Sequence, residues 1–195
     1  MRKWAKNKEA GLSMMETIVA MAILVLGLFS GITLASYGIN IMTYTRQYHE
    51  ASNFAQEGIE MVRAERDSNW LSGSSWDQNL TEGYYVANFN TSAKQMELQK
   101  LLVGKQFDLS NIGTTVKPET RLYKNTDLAT RPFFTQDVAY NTSTYPTSFY
   151  RQIQIIDAQI GGQNDKKIIR SSVVFKYKTD YKIVEIDEEI YNWKK

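Results

Sequence analysis

The residues most able to do chemistry are Gly11, Leu12 and Glu16. They sit in KNKEAGLSMMETIVAMAILVLGLFSGITLAS, residues 6–36, where one carboxylate stands at the mouth of a long apolar run and the next charged side chain is Arg46. A carboxylate beside hydrocarbon is costly when unpaired. Gly11 offers a peptidase a small residue just before the run, so the Gly11–Leu12 bond is a candidate cleavage site. Cleavage there would retain the apolar run, place a new α-amino group on Leu12 and make Glu16 the fifth residue of the mature chain.

Composition removes much other chemistry. The 195 residues include no cysteine, which excludes disulfides, thiolate metal sites and cysteine nucleophiles. The single histidine, His49, leaves little for histidine-based metal clusters or a Ser-His-Asp triad and reads as an exposed helix residue. A net charge of +2 is too small to imply nucleic-acid binding. Asp67, Asn69 and Asp77 offer oxygen atoms near a loop with tryptophans, but their spacing matches no calcium loop. Asp187, Glu188 and Glu189 read as a solvated strand face, and GGQNDKK at 161–167 reads as a hairpin turn. No catalytic role, metal or other cofactor is expected.

The apolar run must position Glu16. Residues 17–45 carry no charged side chain, and Ile18 to Leu34 is apolar apart from Gly27, Ser30, Gly31 and Thr33. About 20 such residues cross a bilayer core as a helix. Arg2, Lys3, Lys6 and Lys8 oppose only Glu9 before Gly11, a local charge of +3, while the rest of the chain is at −1. The positive-inside rule therefore keeps the N-terminus cytoplasmic. Three readings compete: a secretory signal peptide cut near TLAS, a plain single-pass anchor, and a leader cut at Gly11–Leu12. Only the third gives Glu16 a purpose.

That pattern resembles the type IV pilin and type II secretion pseudopilin family, whose hallmark is a short basic leader, a glycine, a hydrophobic first residue, a glutamate fifth after the cut and an unbroken apolar helix. Here these are Gly11, Leu12, Glu16 and TIVAMAILVLGLFSGITLAS. The family most often has phenylalanine where this chain has Leu12. The run AQEGIEMVRAERDSNW and the closing YNW are also similar to stretches of bacterial minor pilins. The resemblance implies cleavage by a prepilin peptidase and N-methylation at Leu12. It implies an inner-membrane assembly platform and other pilin subunits as partners, beside the lipid bilayer. The protein would be a single-pass cytoplasmic-membrane protein with an extracytoplasmic head, later part of a cell-surface or periplasmic filament. In such a filament Glu16 lies near the Leu12 amine of a neighbour. The pair is much cheaper than either charge alone and sets axial register, since a slipped helix leaves both unpaired. Many pilins kink this helix with a proline that is missing here, which puts any bend near Gly27 to Gly31; the same two glycines form a small-xxx-small pair that permits close helix packing. A head without a disulfide-bounded loop suits a minor subunit. The competing function is a membrane-anchored extracytoplasmic binding module that never polymerises and holds a ligand with its aromatic-rich region 70–150.

The expected organisation is a basic leader at 1–11, a membrane or filament-core helix at 12–36, and an amphipathic continuation at 37–69. A variable loop and strand region follows at 70–147, then an antiparallel β-meander at 148–195. In the continuation Tyr44, Tyr48, Ala51, Ala55, Ile59 and Val62 recur at helical spacing. Arg46–Glu50 and Arg63–Asp67 are i,i+4 pairs. RDSNWLSGSSWDQNL breaks the helix, with Trp70 and Trp76 anchoring the loop. EGYYVANFN reads as a strand, KQMELQKLLV as a short helix, and TRPFFTQDVAYNTSTYPTS as loop and edge. SFYRQIQIIDAQI, KKIIRSSVVFKYK and YKIVEIDEEIYNW are strands with one face free to cover a helix, so the fold class is α+β, a long N-terminal helix packed on a C-terminal antiparallel sheet.

Overall fold

The computed structural model describes residues 14–90, 95–108, 117–126, 133–136, 144–160 and 163–192. Helix α1 spans Met14–Leu71. Among the described residues seven strands follow: β1 Gly83–Asn90, β2 Gln95–Lys100, β3 Arg121–Asn125, β4 Phe133–Thr135, β5 Thr144–Ile160, β6 Gln163–Tyr177 and β7 Asp180–Tyr191. The fold is α+β, as the alternation of the C-terminal strands and the helical spacing before them predict. The chain divides into two units, Met1–Thr45 and Arg46–Lys195.

In the first unit α1 presents Ile18, Val19, Leu24, Leu28, Phe29, Ile32 and Leu34 outward, and none of its described residues is buried. Its apolar stretch is long enough to cross a membrane. Gly27 and Gly31 lie within this helix, with open space where a Cβ would stand.

In the second unit α1 buries Ala51, Phe54, Ala55, Gly58, Ile59 and Val62. Phe54 and Gly58 complete the stripe that alanines and branched residues announce. Gly58 brings the helix backbone close to the sheet: a Cβ there would lie 2.5 Å from the Ser171 hydroxyl oxygen. The helix ends in a glycine-capped turn. Gly73 takes a φ of 73°, its N–H donates to the Trp70 carbonyl, and the Ser74 N–H donates to the Asn69 carbonyl. Trp70 is therefore helical and half-buried, whereas Trp76 sits in the core with Leu80, Tyr85, Ile153, Ile155, Ile169 and Ile190.

The sheet is antiparallel throughout. One edge of β5 pairs β6, and β6 pairs β7. The other edge of β5 is shared: β3 pairs its first half up to Tyr150, and β1 pairs Ile153 to Ile155. Between these two partners the ladder has a seam, which the buried Gln136 closes. Its side-chain oxygen accepts from the Ala87 N–H at 2.9 Å, and its side-chain nitrogen donates to the Thr120 and Arg151 carbonyls at 2.8 and 2.6 Å. An amide side chain thus stands in for a missing peptide group.

Several expectations need correction. Residues Gln95–Lys100 are strand, since Met96 and Leu98 alternate with exposed neighbours and pair with β1. Thr144 to Ser148, read as loop, open strand β5, and Gln163 to Asp165, read as turn, belong to β6. Val174 breaks the alternation of β6 because both sheet faces are covered at that end. Phe107, buried, exchanges two hydrogen bonds with Gln152 on the face away from α1, beside the Tyr150–Val174 pair. Arg63 pairs with Glu60 and Glu188, and Asp67 with Arg66, in place of the expected Arg63–Asp67 pair. The Arg46–Glu50 pair forms at 3.3 Å.

A fragment of residues 46–195 carries its own helix, sheet and core. It should fold in water without the apolar segment and give mixed helix and strand circular dichroism with a cooperative melt. A disordered spectrum would show that the head depends on the rest of the chain.

Candidate functional site

Glu16 lies in the first turn of the described part of α1. Gly11 and Leu12 lie outside the described residues. Beyond Glu16 several polar side chains bond back to the helix's own carbonyls. The Ser30, Thr33 and Thr43 hydroxyls donate to the carbonyls of Leu26, Phe29 and Ile39 at 2.8, 2.8 and 3.0 Å. The Asn40 amide donates to the Ser36 carbonyl at 3.0 Å. Each bond reaches back four residues, so these groups need no water and suit a hydrocarbon or helix-packed setting. The Thr17 hydroxyl does the same with the Met14 carbonyl, three residues back. Up to Arg46, Glu16 is thus the only side chain of the described apolar segment with a charge that requires an outside partner.

The acidic groups of the head are engaged elsewhere. Asp187 receives two hydrogen bonds from Arg170, at 2.9 and 2.8 Å, which hold its carboxyl below the usual carboxylate range. Glu189 is held low by Lys166 in the same way, and Glu188 takes the Arg63 guanidinium at 2.6 Å. Asp67, Asn69 and Asp77 build no shared cation site. Asp67 pairs with Arg66, the Asn69 amide donates to the Trp76 and Gln78 carbonyls, and Asp77 accepts from Ser75 and lies 3.6 Å from Lys167. Among the described residues no group of three or more His, Asp or Glu could hold a metal ion. His49 is exposed on α1 beside the Tyr48 ring.

Two buried cations escaped the sequence reading. Lys167, 4% exposed, reaches Asp157 at 2.5 Å and pins the loop after α1 through Asp77 and the Trp76 ring. Arg151 is fully buried between β5 and α1. Its Nη1 donates to the Phe54 carbonyl at 3.2 Å and lies 3.5 Å from Glu57, and burial pushes its pKa down. A signal for Arg151 was present: it stands in phase with Phe149, Ile153 and Ile155, the inward positions of its strand.

Comparison with models of protein families, with curated proteins and with solved structures gave no match.

Proposed function

We propose that this protein is a structural filament subunit of the minor pilin or pseudopilin kind, inserted through α1, cut between Gly11 and Leu12, and assembled through Glu16. The observation that carries this reading is one carboxylate in the first turn of an apolar helix that has no other charge before Arg46. A lone anchor gains nothing from that group. A packed assembly gains a register mark, because the Leu12 amine of a neighbouring chain offsets the charge only at one axial offset. The internally satisfied hydroxyls of the apolar helix and the helix-and-sheet head are compatible with this use. Partners are a prepilin peptidase, other pilin-like subunits, an inner-membrane assembly platform and the bilayer, with the head on the extracytoplasmic side. The protein has no catalytic role in this reading.

Intact-mass analysis of membrane-purified protein tests it. The mature chain should lack residues 1–11 and carry a methyl group on Leu12. Gly11→Val should keep the leader on in essentially all molecules, because the branched side chain does not fit where glycine does. A mature N-terminus near Tyr37 would instead mark an ordinary signal peptide, and an uncut chain would mark the non-polymerising anchored module.

A further inference from the structure

Lys167 is the one buried primary amine among the described residues, and its setting holds more than an ion pair needs. Asp157 on β5 and Lys167 on β6 are direct cross-strand partners, so their side chains stand on one face of the sheet. The Lys167 Nζ lies 2.5 Å from Asp157 Oδ1 and 3.6 Å from Asp77 Oδ2. The buried Trp76 ring stands over the ammonium, its centroid 5.9 Å away. A single carboxylate would neutralise Lys167. Here two converge on it beneath an indole, and both stay partly open to water.

The three groups have the chemistry of an acyl transfer. An amine is a nucleophile, a carboxyl carbon is an electrophile, and a second carboxylate can carry protons between them. The Asp157 carboxyl carbon is one bond beyond the oxygen that Nζ already touches, near the roughly 3–3.5 Å of a near-attack pair. Adjacent strands hold both partners, so the step is unimolecular. Well-oriented groups of this kind reach effective molarities of about 10⁵–10⁸ M, which lets an acid and an amine condense without prior activation. The product also relieves a cost, because an amide carries no charge where a buried ion pair carries two.

We propose that Lys167 and Asp157 condense to an internal isopeptide bond, with Asp77 as the proton carrier. A proton first passes from the Lys167 ammonium to the Asp157 carboxylate along their hydrogen bond, leaving a neutral amine and a neutral acid. The Nζ lone pair attacks the Asp157 carboxyl carbon, and the carbonyl electron pair moves onto oxygen. Asp77 takes a proton from the nitrogen and returns it to the departing hydroxyl. The C–O bond breaks, the carbonyl re-forms and one water leaves. Asp157, whose side chain is 37% exposed, gives that water a way out. Asp77 is a carboxylate again at the end. The bond ties β5 to β6 covalently in a chain that has no cysteine for a disulfide.

Intact-mass measurement of the full chain in detergent tests this, each variant being compared with its own sequence mass for the N-terminus it carries. The result is therefore independent of leader cleavage and of the filament reading. The wild type should be lighter by one water. Trypsin should release residues 152–166 joined to residues 167–170, with no cut after Lys167. Lys167→Arg keeps the positive charge without an amine that can acylate, and Asp157→Ala removes the acceptor. Both should have their full sequence mass. Asp77→Asn, sampled at intervals after a pulse of synthesis, should form the bond slower by roughly a hundredfold or more. A wild-type mass equal to that of the sequence would overturn the proposal. So would a loss of water that persists in Lys167→Arg or maps to another pair of residues. An unchanged rate in Asp77→Asn would overturn the role given to Asp77.

Discussion

Chains carrying Glu16→Ala should insert into the membrane and lose residues 1–11 like the wild type, yet fail to enter sheared filaments. In a single inserted chain the carboxylate at the first turn of α1 is close enough to the interface to stay hydrated, so its removal costs insertion nothing. In an assembly it would meet the Leu12 amine of a neighbour away from water. Removing one partner of such a pair leaves the other charge buried alone, a loss of about 3–5 kcal/mol, which lowers incorporation by roughly a hundredfold or more. Glu16→Gln keeps the shape and loses the charge, so it should share most of the defect. Immunoblots of sheared filaments and of membranes, from cells that also express the wild type, separate assembly from insertion. Equal incorporation of all three versions would show that Glu16 does not set register and would favour the lone anchor.

The second large effect lies in the head. Gln136→Leu should destabilise it by about 3–6 kcal/mol, because the Ala87 N–H and the Thr120 and Arg151 carbonyls lose their partner and each buried orphan costs about 1–3 kcal/mol. Leucine matches the volume of glutamine closely, so the loss reads hydrogen bonding rather than a cavity. Gln136→Glu adds a pH signature. Its ionised carboxyl would face two carbonyl oxygens, so its pKa in the folded state rises above that of the unfolded chain. Stability is then kept below the ordinary carboxylate range and lost as pH rises through the raised value. Urea unfolding of the 46–195 fragment between pH 4 and 8 measures both variants. A loss under about 1 kcal/mol for Gln136→Leu would mean that water or a shifted strand closes the seam.

These effects divide along what could be read in one dimension. The apolar helix, its lone carboxylate and the alternation of the last strands are local patterns. Residues 17–45 hold no charge, Ile169, Ser171, Val173 and Phe175 share a strand face, and Val184, Ile186 and Ile190 share another. A chain with these patterns must hide one helix stripe and one sheet face, and an α+β head follows from that requirement alone. The cross-strand pairs Lys166–Glu189 and Arg170–Asp187 form where the short turn between β6 and β7 fixes the hairpin register.

Tertiary structure decided the rest, wherever a residue's role depends on a partner far along the chain. The peptide KQMELQKLLV carries weak helical and strand signals together, and pairing with β1 chose strand. Gln136 looks like any loop glutamine until β1 and β3 meet end to end along β5, 49 residues from Ala87 and 15 from Arg151. Arg63 had a carboxylate four residues away at Asp67, yet it turned to Glu188, 125 residues distant, because β7 brings that group beside the helix. Arg151 shows the limit most clearly. The strand period placed it inward, but only the approach of α1, 97 residues earlier, supplied the Phe54 carbonyl and left two of its nitrogens without a partner. Burial faces are set by periods of two and 3.6 residues, which a sequence displays. Which polar groups are satisfied is set by distances between segments, and those exist only once the chain has folded.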